Sequence, residues 1–310
     1  MTRLGSSDIE VFPLCLGGNV FGWTADQAAS FAVLDGYTTA GGNFIDTADS
    51  YSHFVPGNKG GESETIIGSW INARDNRDQV VIATKVAKWP EHPGLSPANI
   101  ATSIDGSLER LRTDHVDLYY AHEDDANVPT EDWYGALDAL VKDGKVRALG
   151  LSNFSDERIQ EVVAIGVREG FAPIVALQPH YSLVERDEGD LLALCDRLGL
   201  ACIPYWALAR GFLTGKYRPG GAKIDSPRAG QAAAYLDNPN AEGLLAALDE
   251  TAAAHGAPIA SVAIAWLREQ PAVVAPVASA RNGDQLADIL PGATLELSDD
   301  ELSRLTDAWA

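Results

Sequence analysis

The chain has 310 residues, 23 Lys and Arg against 44 Asp and Glu, and a formal net charge of -21. Hydrophobic residues make up 46% of it, enough for a large core, which excludes a disordered chain. The acidic balance excludes a general binder of nucleic acid or anionic membrane, because both need a basic footprint, but it leaves room for a local basic pocket.

The opening MTRLGSSDIEVF lacks the basic-then-apolar run of a secretion signal. No apolar stretch reaches the ~18 residues of a membrane span, so a cytoplasmic protein is expected. Residues 3–11 (RLGSSDIEV) are expected to form a small hairpin before the first strand, closing the bottom of the domain. Then short apolar runs alternate with amphipathic stretches. Pro13–Gly17 precedes a helix at Asp26–Ala40, Asn43–Asp46 one at Glu62–Ala73, and Val80–Lys85 one at Pro97–Leu111. Val116–Ala121 precedes Thr130–Lys142, Val146–Gly150 precedes Asp156–Arg168, and Ile174–Leu177 precedes Glu188–Leu198. Leu200–Pro204 is followed by a long insert, Ala207–Ala257, with its own helix near Glu242–Ala254, and then by Pro258–Glu269. Val273–Val277 precedes Asp284–Leu290, and a C-terminal helix uses the remaining length.

The runs are apolar throughout and do not alternate, which suits parallel strands buried on both faces. Helix starts are marked by Ser96-Pro97, by Thr130 before two acids and by Ser155 before two acids; Gly144 stands where a helix should stop. Eight strand–helix units imply a (β/α)8 TIM barrel rather than a doubly wound sheet, as one domain over 1–310. Cys15, Cys195 and Cys202 are odd in number and fit no zinc spacing, so neither a disulfide framework nor a metal is expected. The Asn153-Phe154-Ser155 sequon is irrelevant without secretion.

In such a barrel the chemistry sits where the strands finish. Strand two ends at Asp46 with Tyr51 five residues on (NFIDTADSY), strand three at Lys85 (VVIATK), and strand four at His122 (DLYYAH). Each has a bland reading: a turn cap, a loop anchor, a solvated lysine, a half-buried histidine. Together they bring an acid, a phenol, an amine and an imidazole to one rim. A phenol has an ordinary pKa of ~10; a neighbouring ammonium favours tyrosinate and lowers that value. The acid can balance a buried lysine, and the imidazole can orient a carbonyl oxygen. The set moves a proton to or from a carbonyl or alkoxide but supplies no hydride, so a cofactor is required.

From about Arg3 to Leu290 the chain resembles the aldo-keto reductase superfamily. The segments NFIDTADSY, ATK, YYAHEDD, GKVRALGLSNF, ALQPHYS, GFLTGKYRPG and PVASARNGDQL stand in the family's order. The LTGKY-type segment and the long insert are similar to bacterial branches related to potassium-channel β-subunits and general stress reductases. The resemblance implies an NADPH-dependent (NADP+ in reverse) reduction of an aldehyde or ketone, with Asp46, Tyr51, Lys85 and His122 as catalytic tetrad. It further implies that Gly18, Asn19, Val20 and Asp46 lie near the nicotinamide. Ser152, Asn153 and Gln178 would hold its amide, and Tyr205 would stack on its ring. The loop through Trp206, Ala207, Leu208, Gly211 and Lys216 would cover the pyrophosphate. Ser279 and Arg281 would hold the 2′-phosphate, with Gln285 and Asp288 near the adenine.

Two departures stand out: Trp206-Ala207-Leu208 replaces the usual Ser-Pro-Leu, and Asp288 replaces Glu or Asn. No GxGxxG follows the first strand, as expected for a dinucleotide held on barrel loops. Trp23, Phe54, Trp89 and Tyr181, with His180, are expected around a partly aromatic substrate pocket bordered by Glu123, Asp124 and Asp125. The expected partner is a small carbonyl compound, with no nucleic acid and no membrane. The family contains monomers and larger assemblies, so the resemblance sets no oligomeric state. Two other readings remain: an NADPH-binding regulatory subunit with little turnover, and a barrel metalloenzyme, which the unpaired spacing of the six histidines disfavours.

Overall fold

A computed structural model describes residues 1–186 and 189–310. Eight parallel strands build the barrel: β1 Cys15–Gly17, β2 Phe44–Asp46, β3 Val81–Val86, β4 Val116–Ala121, β5 Val146–Ser152, β6 Ile174–Gln178, β7 Ala201–Cys202 and β8 Val277–Ala278. They are hydrogen-bonded in sequence order, and β8 pairs with β1. The ring closes between β7 and β8 by a bridge from Cys202 to Val273. This is the (β/α)8 barrel. The last predicted strand differs most. Val273 makes only that bridge, and the paired residues are Val277 and Ala278, because Pro276 has no N–H to donate to a ladder.

The helices around the ring are α1 Gln27–Thr39, α2 Glu62–Arg74, α3 Pro97–Leu111, α4 Thr130–Lys142, α5 Asp156–Glu169 and α6 Gly189–Leu198. The predicted start of α6, Glu188, lies outside the described residues. The insert carries α7 Ala229–Ala233 and α8 Ala241–His255; α9 Ile259–Arg268, α10 Gly283–Ile289 and α11 Asp299–Asp307 come after it. Asp26, Ser96 and Ser155 cap their helices through side-chain oxygens, whereas Thr130 is already helical and Pro129 occupies the cap. Gly144, at φ +76°, follows the end of α4.

The hairpin pairs Thr2–Arg3 with Glu10–Val11 and closes the barrel bottom. Its Leu4, Ile9 and Val11 join Phe44, Ala83, Leu118 and Ala148 in the barrel's inner core. The turn lies so close to β6 that a Cβ on Gly5 would overlap the Val175 carbonyl oxygen.

Strand alternation then assigns directions. Phe44, Ala83, Leu118, Ala148 and Ala176 point into the barrel, while Ile45, Ile82, Tyr119, Leu149 and Leu177 face the helices. Counting by two along each strand puts Asp46, Lys85, His122, Ser152 and Gln178 inward at the C-terminal rim. Among the described residues no helix is long and apolar enough to cross a membrane, and no group of three His, Cys, Asp or Glu is placed to hold a metal.

Candidate active site

A cavity of about 520 Å³ opens at that rim. On its floor the fully buried Lys85 Nζ donates to both Asp46 carboxylate oxygens at 2.7 Å, to the Thr47 carbonyl at 2.7 Å and to the Tyr51 hydroxyl at 3.0 Å. Tyr51 donates to Asp46 Oδ2 at 3.2 Å, and Gln178 Nε2 donates to Asp46 Oδ1 at 2.8 Å. Asp46 thus offsets the buried ammonium with both oxygens engaged, the condition under which a buried ion pair is tolerated. The His122 ring lies edge-on to Tyr51, centroids 6.2 Å apart.

The sequence predicts a phenol lowered by Lys85. In the structure it lies well above its ordinary value, through burial first and then the charge of Asp46. Burial disfavours the tyrosinate, and the Asp46 carboxylate, which also accepts a hydrogen bond from the Tyr51 hydroxyl, adds to that effect. Tyr51 therefore stays protonated at neutral pH. Burial, then Lys85 and Lys88, hold His122 well below its ordinary value, so the imidazole is neutral.

Behind this floor lies Asp49, buried, with neither carboxylate oxygen hydrogen-bonded among the described residues. Burial, reinforced by the nearby Glu64, pushes its pKa up to about 8, with Arg110 the largest opposing charge. The unfolded group ionises near 3.8 and the folded one near 8, so between these values the folded state holds the extra proton. Stability should therefore fall as pH rises through that window, by about 1.4 kcal/mol per pH unit. Asp49→Asn is expected to flatten that slope, measured as urea unfolding free energies at pH 5 and pH 8; an unchanged slope would assign the dependence elsewhere.

The rest of the cavity wall comes from neighbouring units. Asn19, Val20 and Trp23 follow β1; Asn153 and Gln178 end β5 and β6; Tyr205, Trp206, Ala207, Leu208, Gly211 and Lys216 follow β7; Ser279, Arg281, Gln285 and Asp288 follow β8. Two expected residues stand behind the wall. Gly18 is buried and donates its N–H to the Asp46 carbonyl at 2.7 Å; a Cβ there would meet Ser63 Oγ. Buried Ser152 donates to the Gln178 carbonyl at 2.8 Å and accepts from Asn153 Nδ2 at 3.0 Å.

Asn153 has φ +59°, donates to the His122 carbonyl at 2.7 Å and accepts from the Tyr205 hydroxyl at 2.8 Å. Tyr205 stacks on His180, ring centroids 5.3 Å apart. Trp206, Ala209 and Arg210 have φ of +59°, +45° and +57°, an uncommon backbone that costs about 1–3 kcal/mol per residue and collects at functional loops. The Arg210 guanidinium lies 3.3 Å from the Trp206 ring centroid, so the departure from Ser-Pro-Leu puts an indole where a small hydroxyl is usual and packs it against a cation.

Four of the expected pocket aromatics, His180 among them, do not line the cavity. Ala87, at φ +107°, turns the chain after β3, so Lys88 reaches the cavity while Trp89 lies under the Arg110 guanidinium at 5.3 Å. Tyr181 faces the helix layer and stacks on Trp266. Phe54 is 55% exposed and touches the wall only through Trp23, centroids 5.0 Å apart. In the other direction, Lys88, Thr214 and Arg228 line the cavity without having been singled out in the sequence. Arg228 lies in a Pro/Gly-rich stretch with no periodicity to place it.

The three cysteines are free and buried. At the end formed after β7 and β8, Lys216 has its pKa lowered by burial and then by Arg281, two cations facing each other inside a chain of net charge -21.

Comparison with known proteins agrees with this architecture. The model of the Aldo/keto reductase family matches residues 13–310. The chain is 32% identical to the Uncharacterized oxidoreductase YrpG of Bacillus subtilis (strain 168) over 99% of this chain and 95% of that one. It is 30% identical to Norsolorinic acid reductase B of Aspergillus parasiticus, covering 98% and 82%, and 30% identical to Aryl-alcohol dehydrogenase GME11368 of Pestalotiopsis microspora, covering 98% and 80%. A family model over nearly the whole chain, on a barrel whose rim gathers these groups, means that the protein belongs to the aldo/keto reductase family of oxidoreductases.

Proposed function

We propose that this protein reduces an aldehyde or ketone to its alcohol, reversibly and with NADPH, using Tyr51 as proton donor. The observation that carries the reading is the floor of the cavity. There the Lys85 ammonium joins the Asp46 carboxylate to the Tyr51 hydroxyl beside a neutral imidazole.

The residues present suit a dinucleotide phosphate. Lys216 and Arg281 line the same end of the cavity, and among the described residues neither forms an ion pair with a carboxylate. Two facing cations of this kind are relieved by an anion, and a planar guanidinium grips a phosphate with two N–H groups. Ser279, which donates to Asn19 Oδ1 at 2.7 Å, adds a hydroxyl beside Arg281. Tyr205 gives a flat aromatic face, and Asn153 and Gln178 give amides suited to a carboxamide.

When bound, the reduced cofactor supplies a hydride to the carbonyl carbon. Tyr51 gives its hydroxyl proton to the carbonyl oxygen, forming the alcohol. Lys85, 3.0 Å from the phenol oxygen, stabilises the tyrosinate left behind. Asp46 keeps the ammonium charged and fixed, and Gln178 keeps Asp46 fixed. His122, being neutral, orients the carbonyl oxygen without placing a second charge there. Trp23 gives the substrate side an aromatic wall, and one relative is named for aryl alcohols, so aromatic aldehydes are the first class to screen.

Loss of NADPH absorbance with a panel of aromatic and aliphatic aldehydes, run beside NADH, tests the proposal. Turnover with NADPH favoured is the expected result. NADPH binding with no turnover on any carbonyl would overturn it in favour of a regulatory subunit.

A further inference from the structure

Asp49 stands midway in the loop that joins Asp46 to Tyr51, and the proton transfer leaves it unused. That loop is stitched to β3. The Thr47 N–H donates to the Ala83 carbonyl at 2.8 Å, Lys85 Nζ donates to the Thr47 carbonyl at 2.7 Å, and the Asp49 N–H donates to the Lys85 carbonyl at 3.3 Å. On the far side of Tyr51 the Ser52 hydroxyl donates to the Phe21 carbonyl at 2.9 Å. The phenol therefore sits where this loop sits, and the Asp49 contact is the longest of these four bonds.

The Asp49 side chain is fully buried and does not line the cavity. Glu64 of α2, Arg110 of α3, Lys85 of β3 and Tyr119 of β4 face it. Glu64 is buried too and already engaged, accepting from Thr84 Oγ1 at 2.5 Å and from Arg110 Nε at 2.7 Å. Two buried carboxyl groups thus share one guanidinium, and Glu64 holds it. Neither Asp49 oxygen is hydrogen-bonded among the described residues, so a carboxylate there lacks the partners that make a buried charge tolerable. Burial and then Glu64 raise its pKa to about 8, against the weaker opposing influence of Arg110, the Ser50 N–H and Lys85. Tyr119, raised well above its ordinary value by burial first, keeps its proton under the same conditions.

We propose that Asp49 is a positioning residue: its proton keeps the loop 47–51 seated on β3, and losing that proton draws the Tyr51 phenol off Lys85 and stops turnover. This rests on the carbonyl-reductase reading above. A carboxylate at this place is pressed by Glu64 and relieved by moving toward water, which the neighbouring cavity supplies. The 3.3 Å bond of the Asp49 N–H is the first stitch to give. Tyr51 lies two residues further on, so its 3.0 Å contact with Lys85 Nζ goes with it.

The test follows kcat for benzaldehyde reduction from pH 6 to pH 10 in the full-length protein and in Asp49→Asn, which keeps the shape of the protonated acid. Saturating NADPH keeps the ionisation of Lys216, which acts through cofactor binding, out of kcat. The Tyr51 phenol titrates well above its ordinary value and does not supply a limb near pH 8. The wild-type kcat should fall above that pH by about tenfold per pH unit, as loss of one required proton dictates. Asp49→Asn should lack this limb and outpace the wild type by roughly 10- to 30-fold at pH 9.5. An identical alkaline limb in Asp49→Asn overturns the proposal. So does a deficit of that variant that is equal at every pH, which would make Asp49 plain packing. Hydrogen exchange of the wild type reads the loop without turnover and without any variant. Corrected for the intrinsic pH dependence, peptides over residues 47–54 should exchange faster at pH 9.5 than at pH 7, while those over β4 should not. No such difference also overturns the proposal. The difference in a protein that reduces no carbonyl would retain the loop switch and reject the reductase reading. Its absence in a protein that does reduce carbonyls would do the reverse.

Discussion

Tyr51→Phe is expected to lower kcat for carbonyl reduction by about 10²- to 10⁴-fold, the range for removing a positioned general acid. The substitution removes one oxygen and leaves the ring that packs 4.7 Å from Lys85 Nζ, so the cavity keeps its shape. NADPH affinity should stay within a few-fold, because the cations assigned to the phosphates stand at the other end. The loss should fall on kcat and kcat/KM together, the pattern of an interaction made only in the transition state. Single-turnover measurement of NADPH oxidation separates this from slow product release. Turnover near the wild-type rate would reject Tyr51 as proton donor.

Lys85→Met should do two things at once. It removes the cation that stabilises tyrosinate, so turnover should fall at least as far as in Tyr51→Phe. It also leaves Asp46 buried and charged, with only the Gln178 amide at 2.8 Å and the Tyr51 hydroxyl at 3.2 Å to solvate it. Removing one partner of a buried pair costs about 3–5 kcal/mol, read here as a lower urea midpoint at constant slope. Adding Asp46→Asn should recover much of the stability and none of the turnover, since the uncompensated charge is gone and the tyrosinate is still unsupported. Equal stability of Lys85→Met and wild type would mean that Asp46 takes up a proton in its place.

The barrel is legible in the sequence because strands buried on both faces must be apolar throughout. An ionisable residue that ends such a run stands out, and strand alternation aims it inward. Asp46, Lys85, His122 and Gln178 all obey that arithmetic. Trp89 and Tyr181 do not line the cavity because their directions depend on single turns. The left-handed Ala87 redirects one, and the step from an inward Gln178 to the helix layer redirects the other. The shortened β8 is a consequence of Pro276, visible in the sequence but placed one residue too deep in the expected strand. The raised phenol of Tyr51 needs the distances, because neighbours of opposite charge announce no winner until both are measured. Arg228 sits in a Pro/Gly-rich stretch without period, directly before the short α7, and only the folded insert brings it to the cavity.

The ring is not equally strong all round. β3, β4 and β5 are six, six and seven residues long, whereas β7 and β8 have two each. These last two are tied through the Cys202–Val273 bridge, the Val274 N–H to Cys202 carbonyl bond at 2.9 Å and the Val277 N–H to Pro204 carbonyl bond at 2.8 Å. Such a seam works as a clasp. The loop that starts at Tyr205 is mounted on one jaw and Ser279 with Arg281 on the other, while Lys85 and His122 stand on the stiff arc opposite. Two-residue strands hold this side and six- or seven-residue strands the other, so fraying on the clasp side is expected to leave the arc on which the proton is passed in place.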